Sequence, residues 1–192
     1  MILAASLVSI LSNCSGVSSE VQNKEQTTTN SNQANTNTSP FPPLPEKISN
    51  ADIEMLDGNI QHISDLKGKV VLVNLWGVWC GPCRDEMPHL AALQEKYRDK
   101  DFKVIGANIG DEDFEPENVD RIKGFATEMK VNYDLARIPI ALTQEFSKLT
   151  KFDGVPLSVL IDRDGRMRGV FLGGGPRVIK SLKETVEKVV NE

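Results

Sequence analysis

Residues 70–83, which read V-V-L-V-N-L-W-G-V-W-C-G-P-C, decide the fold of this chain. The nearly continuous apolar run at 70–76 predicts a strand that is buried on both faces of a sheet. Pro82 is typical of the first turn of a helix, because that turn makes no use of the N–H that proline lacks. From there to about residue 97, apolar side chains recur at helical spacing. The stretch therefore predicts a buried strand that leads through two cysteines into a helix.

The two cysteines, Cys80 and Cys83, lie where this helix begins. A cysteine in the first turn faces unsatisfied backbone N–H groups and the positive end of the helix dipole, which favour its thiolate. Such surroundings lower the pKa of a thiol from about 8.5 toward 7 or below, close to the value that suits thiol–disulfide exchange. We therefore predict that Cys80 is the attacking thiolate and that Cys83, one turn deeper, is the resolving thiol.

Other interpretations of the cysteine pair are weaker. Zinc would need two further ligands, and the only histidines are His62 and His89. Covalent haem requires a histidine directly after the second cysteine, where this chain has Arg84. A purely structural disulfide stays open as an alternative, although a loop this short removes little entropy from the unfolded chain. We expect no metal and no organic cofactor.

The rest of the globular part alternates between strand and helix patterns. An Asp57-Gly58 turn predicts a hairpin of strands 53–56 and 60–63. The further elements, in chain order, are a strand at 103–109, a helix at 118–129, a strand at 132–135, a helix at 144–150, a hairpin of strands 157–161 and 167–172, and a helix at 179–190. This order predicts an α/β fold in which a mixed central sheet is covered by helices on both faces.

The first 45 residues differ in composition from the rest. The apolar run at 2–11 is typical of an export signal, which we place at 1–13. Residues 14–45 are rich in Ser, Thr, Asn and Gln and end in a proline-rich segment, so we expect a disordered linker there. The globular domain would then occupy residues 46–192. The apolar run followed by Cys14 resembles a bacterial lipoprotein signal, which implies lipidation of Cys14 and attachment to a membrane.

Composition excludes several classes of protein. The chain has 192 residues, 22 basic and 27 acidic, and a net charge of −5, which argues against nucleic-acid binding. Three cysteines are too few for a disulfide-rich scaffold. No apolar run approaches the ~20 residues that a membrane-spanning helix needs.

From about residue 45 to its end, the chain resembles thioredoxin-fold domains of the TlpA/ResA type, a family of exported, membrane-tethered thiol–disulfide oxidoreductases. The resemblance implies a thioredoxin fold with an N-terminal β-hairpin extension and a βα-type insertion. Trp79, together with Trp76, matches the paired tryptophans before the motif, and Cys80 and Cys83 match the redox-active disulfide. Pro156 matches the family's cis-proline, which implies that the Val155 backbone faces the sulfurs and binds an extended substrate.

The same resemblance singles out Glu86. Thioredoxins carry a buried aspartate six residues before the first cysteine, where this chain has Asn74, which cannot relay a proton. Glu86, three residues after Cys83, matches the acidic residue of ResA-like proteins. A semi-buried carboxylate there would accept the proton of Cys83. The alternative is a solvated charge in the first turns of the helix.

The sequence thus predicts an exported, extracytoplasmic thiol–disulfide oxidoreductase, a monomer, that reduces disulfides of exported proteins through Cys80 and Cys83. The family implies a membrane thiol transporter as electron donor and c-type cytochrome assembly as one client pathway. Two alternatives stay open. One is a disulfide oxidase or isomerase, and the other is a tethered copper-binding module that uses the same two cysteines.

Overall fold

The structure, a computed structural model, describes residues 39–192. The predicted export signal, Cys14 and the linker up to residue 38 lie outside the described residues. Among residues 39–192, no helix has the length and apolar character needed to cross a bilayer.

A seven-stranded mixed sheet forms the centre of the domain, with the strand order β2-β1-β5-β4-β3-β6-β7. Strand β3 lies between β4 and β6 and is parallel to β4 and antiparallel to β6. The strands are β1 (Ile53–Met55), β2 (Ile60–Gln61), β3 (Val70–Trp76), β4 (Phe102–Asn108), β5 (Asp134–Arg137), β6 (Leu157–Ile161) and β7 (Met167–Leu172). The expectation of a mixed sheet within a thioredoxin fold is confirmed.

All seven residues of β3 are buried, and its six apolar side chains alternate between two apolar clusters, so helices cover both faces of the sheet. One cluster joins the sheet to α2, α3 and α5, and the other joins it to α1 and α4. The helices are α1 (Glu46–Ser49), α2 (Gly81–Lys96), α3 (Val119–Glu128), α4 (Ile140–Thr150) and α5 (Pro176–Val190), and a 3-10 turn spans Ile63–Leu66.

The predicted elements agree with the structure within a few residues, and the departures have local causes. Helix α4 begins at Ile140, four residues before the predicted start, directly after Pro139. The short strand β5 lies two residues later than predicted. Helix α1 and the 3-10 turn were not predicted, since a single turn carries no apolar periodicity.

The linker boundary predicted after residue 45 is wrong for residues 39–45, which belong to the domain. The main chain of Pro42 and Leu44 pairs with the turn between β6 and β7, through Met167 N–H to Pro42 O and Leu44 N–H to Gly165 O. Leu44 is buried, and the Arg168 guanidinium lies 4.1 Å above the ring of Phe41. Within this proline-rich segment, Leu44 is buried and Phe41 is half-buried, through contacts with residues that follow far along the chain.

Candidate active site at the start of helix α2

The cysteine pair lies at the junction between β3 and α2, just beyond the carboxyl end of β3. Cys80 is the N-cap residue of α2, and a Cys80–Cys83 disulfide joins the two sulfurs across Cα atoms that lie 5.3 Å apart. Cys80 N–H donates to Gly77 O at 3.1 Å, which closes the turn between strand and helix. The predicted location of both cysteines is therefore confirmed.

The backbone of α2 distinguishes the two sulfurs. The N–H of Cys83 donates to Cys80 Sγ at 3.2 Å, so Cys80 Sγ takes the place of a capping oxygen. A thiolate there would be stabilised by this N–H and by the helix dipole. Burial distinguishes the sulfurs less than expected, because Cys80 is 4% exposed and Cys83 is 2% exposed. The position at the helix start, rather than exposure, is therefore what distinguishes Cys80 from Cys83.

The side chain of Trp79 connects the cysteine loop to the loop that follows β4. Its indole lies against Gly77, where a Cβ would come within 2.6 Å of Trp79 Nε1. Trp79 Nε1 donates to the carbonyl oxygen of Gly110 at 3.2 Å. Trp79 and Val155 both pack against the apolar cluster that contains the two cysteines, so the structure brings these predicted substrate-binding residues to the redox pair.

A cavity of about 150 Å³ opens beside Trp79 and Val155. Its lining is mainly apolar, with polar side chains at one side: Leu75, Trp79, Ile109, Phe114, Thr143, Ser147, Asp153, Gly154, Val155 and Leu157. A cavity of this size holds a group as large as a benzene ring. It is therefore large enough for one apolar side chain of a bound peptide.

The peptide bond between Val155 and Pro156 is cis, as the family resemblance implied. The loop before α5 packs against this proline, since Gly173 N–H donates to Pro156 O at 2.8 Å. A Cβ on Gly174 would lie 2.9 Å from Pro82 Cβ, so only a glycine lets the loop approach both prolines. Three consecutive glycines before a helix were the signal in the sequence of this close backbone packing.

Glu86 is buried beneath the cysteines and is not a solvated helix charge, so that alternative is wrong. Its side chain lies on the helix face of Cys83, and the residue is 2% exposed. Asn74 Nδ2 donates to Glu86 Oε2 at 3.2 Å and to Ser158 Oγ at 2.9 Å. Burial raises the pKa of Glu86 to about 7, against the weaker opposing effect of the Asn74 hydrogen bond. The carboxyl can therefore take up or release a proton near neutral pH.

Asn74 and Ser158 complete this buried polar group in a way the sequence did not show. Asn74 was identified only as a residue unable to relay a proton, whereas the structure shows that it holds the Glu86 carboxyl. Ser158 pairs with Asn74 across β3 and β6 and was not singled out. A polar residue within the apolar run of a buried strand was the signal in both cases.

The two histidines lie apart from the cysteines and form ordinary polar contacts. His62 bridges Asp52 and Asp65, which raise its pKa, and His89 Nδ1 lies 3.0 Å from Lys183 Nζ. Within residues 39–192, no group of three or more His, Cys, Asp or Glu side chains is placed to hold a metal ion.

Comparisons with known proteins agree on one family. The model of the Redoxin family matches residues 25–188. The chain is 33% identical over 136 residues to the thiol-disulfide oxidoreductase ResA of Bacillus thuringiensis subsp. konkukian, covering 70% of this chain and 71% of that protein. It is similar to the solution structure of a thiol:disulfide interchange protein from Bacteroides sp., with a TM-score of 0.61, 26% identity, and coverage of 80% of this chain and 91% of that one. A thioredoxin family protein from Chlorobium tepidum TLS shares the fold, with a TM-score of 0.63, 24% identity, and coverage of 79% and 98%.

Proposed function

This chain belongs to the Redoxin family and is a thiol–disulfide oxidoreductase of the ResA type, and on that premise we propose that it is an exported, membrane-tethered reductase of disulfides in exported proteins. One observation carries the proposal. Cys80 caps the N-terminus of α2 and is joined to Cys83, with the Glu86 carboxyl buried one turn further along the helix. This arrangement supplies an attacking thiolate, a resolving thiol and a proton acceptor.

In the proposed reaction, the Cys80 thiolate attacks one sulfur of a client disulfide. The client S–S bond breaks, a mixed disulfide with Cys80 forms, and the other client sulfur leaves as a thiolate that takes a proton from solvent. Cys83 then gives its proton to Glu86 and attacks Cys80 Sγ. The second client sulfur leaves and is protonated in turn, and the Cys80–Cys83 disulfide closes. Two electrons pass from the cysteine pair to the client.

The disulfide form of the pair is the product of this cycle, so an external dithiol must reduce it before the next turnover. A membrane thiol transporter is the proposed donor. The reductive direction predicts a reduction potential toward the thioredoxin value of about −270 mV, whereas an oxidase would lie nearer to about −120 mV. Equilibration of the pair with glutathione or dithiothreitol buffers measures this potential, and a value at the oxidising end would replace the reductase by the oxidase.

Clients are proposed to bind along Val155 and Pro156, beside Trp79. The backbone N–H and C=O of Val155 make no hydrogen bond to another of residues 39–192, so both can pair with an extended client segment. The neighbouring cavity of about 150 Å³ then receives one apolar client side chain. The proposed substrate is therefore an extended or unfolded segment rather than a folded surface.

The proposed anchor is Cys14, which lies outside the described residues. If Cys14 carries lipid, the wild-type chain will partition into the membrane fraction of producing cells, and mass spectrometry will find acylated Cys14. The Cys14→Ser variant should be released in soluble form with its exchange activity intact. Membrane partitioning that survives this substitution would contradict the anchor without affecting the redox function.

Substitution of each cysteine separates the proposed roles. Cys80→Ser should abolish reduction of insulin in the presence of dithiothreitol, because no attacking thiolate remains. Cys83→Ser should accumulate mixed disulfides between Cys80 and clients, which nonreducing gels and mass spectrometry detect. Full activity of Cys80→Ser would refute the proposed reaction, and trapping of clients on Cys83 in that variant would reverse the two roles.

A further inference from the structure

The hydroxyl of Tyr133 is buried and has no hydrogen-bond partner among residues 39–192. Tyr133 directly precedes β5, and the residue is 8% exposed within the cluster that contains Trp76 and Cys83. An unpaired buried hydroxyl destabilises a fold, and such groups in native proteins are associated with functional sites. Packing alone would be served equally well by phenylalanine.

Gly106 shows where the Tyr133 ring lies. A Cβ on Gly106 would be 3.1 Å from Tyr133 Cε2 and 3.2 Å from Trp76 Nε1, so the two rings meet above this glycine. Gly106 on β4 pairs with Asn74 on β3. Asn74 is the residue that donates a hydrogen bond to Glu86. Tyr133 therefore lies one strand away from the pair formed by Asn74 and Glu86, on the sheet face covered by α2.

The Glu86 carboxylate has capacity for a further donor. A carboxylate accepts about four hydrogen bonds, whereas Asn74 Nδ2 supplies the only one that the side chain of Glu86 receives from residues 39–192. Burial and the negative charge of Glu86 together raise the pKa of Tyr133. The phenol consequently keeps its proton at neutral pH and acts only as a neutral hydrogen-bonding group.

We propose that Tyr133 is a positioning residue for the exchange reaction: its hydroxyl donates to the Glu86 carboxylate through one bridging water molecule and holds the carboxylate in the charged form that accepts the Cys83 proton. The proposal rests on the proposed function of Glu86 and extends it to a residue on a different strand. Tyr133 acts through Glu86 and is not itself a reacting group.

The groups around Glu86 allow a change in its protonation to be assigned to a single cause. The ionisable groups around it are Cys80 and Cys83 on its own helix and Tyr133 before β5, while Asn74 from β3 and Ser158 from β6 are uncharged. No lysine, arginine or other carboxylate contributes to the shift of its pKa. A change in the protonation of Glu86 in a Tyr133 variant can therefore be assigned to the lost hydroxyl.

The test compares Tyr133→Phe with wild type in the full chain. The substitution keeps the ring but removes the hydroxyl donor, so the pKa of Glu86 should rise. The rate at which the reduced chain resolves the mixed disulfide with a synthetic disulfide peptide should reach half its plateau about one pH unit higher. This shift corresponds to about tenfold slower resolution on the acidic side of the profile. The plateau at high pH should not change.

Tyr97 provides the matched control, because it is the only other tyrosine of the chain and its ring is buried at the far end of α2. Tyr97→Phe should leave the pH profile unchanged. Carbon-13 NMR titration of the Glu86 side-chain carboxyl should show the same upward shift in Tyr133→Phe and none in Tyr97→Phe. The pH profile reports the reaction, and the NMR titration separates Glu86 from the cysteines.

A second measurement covers the case in which Tyr133→Phe does not fold. In the wild-type chain, the Tyr133 Cζ resonance should titrate with the same midpoint as Glu86, and this step should disappear in Glu86→Gln. If folded Tyr133→Phe shows an unchanged pH profile of resolution and an unchanged Glu86 titration, Tyr133 serves only in packing and the proposal is wrong. Absence of exchange activity in the wild type would instead refute the proposed function, so the two failures are distinguishable.

Discussion

At the scale of single residues, the chemistry depends on how burial acts on Glu86. A glutamate in the second turn of a helix is ordinarily solvated, but here the residue is 2% exposed and pairs with Asn74. Burial removes water from the carboxylate and raises its pKa to about 7. Burial therefore raises the proton affinity of Glu86, and it also means that the charged form of Glu86 destabilises the folded chain.

Glu86→Gln should therefore stabilise the disulfide form in a pH-dependent way. Because the folded-state pKa of Glu86 is raised above its ordinary value of 4.5, the folded chain holds the proton more tightly than the unfolded chain. The free-energy cost of ionising Glu86 in the folded chain is absent below pH 4.5 and grows as the pH rises. It reaches about 3 kcal/mol at a pH of about 7. The free energy of unfolding of Glu86→Gln should exceed that of wild type by up to this amount at about pH 8, and by less than about 1 kcal/mol at about pH 5.

Denaturant unfolding at the two pH values measures this difference. The amide of glutamine keeps a hydrogen bond to Asn74 available, so the substitution mainly removes the charge. A difference between variant and wild type that is equal at both pH values would show that Glu86 is not ionised within the fold.

At the scale of elements, close packing between β3, β4 and β5 holds the polar group around Glu86 in place. Gly106 lies at the centre of this packing, where Leu135, Tyr133 and Trp76 converge on one backbone position. A side chain at this position would have to displace all three. The absence of a Cβ thus lets the rings of Tyr133 and Trp76 lie against β4.

Gly106→Ala should destabilise the domain, because its Cβ would lie 2.5 Å from Leu135 Cδ2. Overpacking of this kind costs about 1–3 kcal/mol. Gly124→Ala, within α3, is the matched control, since nothing lies within 4 Å of its Cβ. This second substitution should stabilise the domain by about 0.5–1 kcal/mol through its higher helix propensity. Thermal and urea unfolding measure both, and destabilisation of equal size in the two variants would contradict the packing described for β4.

At the scale of the whole domain, residues 39–45 and the cysteine pair lie at opposite ends of the central strands. The carboxyl end of β3 leads to Cys80, whereas residues 42–44 pair with the β6–β7 turn beside the start of β3. Strands of this length separate the two ends by about 20 Å. Residues 39–45 therefore contact the domain at the end of the sheet away from the disulfide.

Loss of the contacts made by residues 39–45 should affect stability and leave the chemistry unchanged. Leu44→Ala removes a side chain that is 5% exposed and should lower the free energy of unfolding by about 2–5 kcal/mol. Phe41→Ala, which loses the contact with Arg168, should cost about 0.5–1 kcal/mol. Insulin reduction at a temperature where both variants are folded should match wild type. A large loss of activity in folded Leu44→Ala would contradict the separation of the two ends.

Much of the fold could be predicted from local sequence patterns. These patterns were sufficient to predict a strand or helix wherever the pattern extends over the whole element. The run at Val70–Trp76, the hairpin strands at Leu157–Ile161 and Met167–Leu172, and the helix that begins after Cys80 all lie where periodicity and turn residues predicted them. The position of the cysteines at a helix N-terminus was predicted for the same reason. A proline shortly after a buried strand indicates that a helix begins there.

Only the tertiary structure decided the surroundings of the disulfide. Asn74 and Ser158 are 84 positions apart, and Gly174 reaches Pro82 only because β7 lies beside β6 at the sheet edge. The burial of Glu86, the burial of the Tyr133 hydroxyl and the packing of Leu44 likewise depend on strand order and on contacts between distant segments. The amino-acid sequence alone was enough to predict which atoms react, because helix and strand signals act over neighbouring residues. The proton affinity of the group behind them is a property of desolvation, which exists only once distant parts of the chain have packed together.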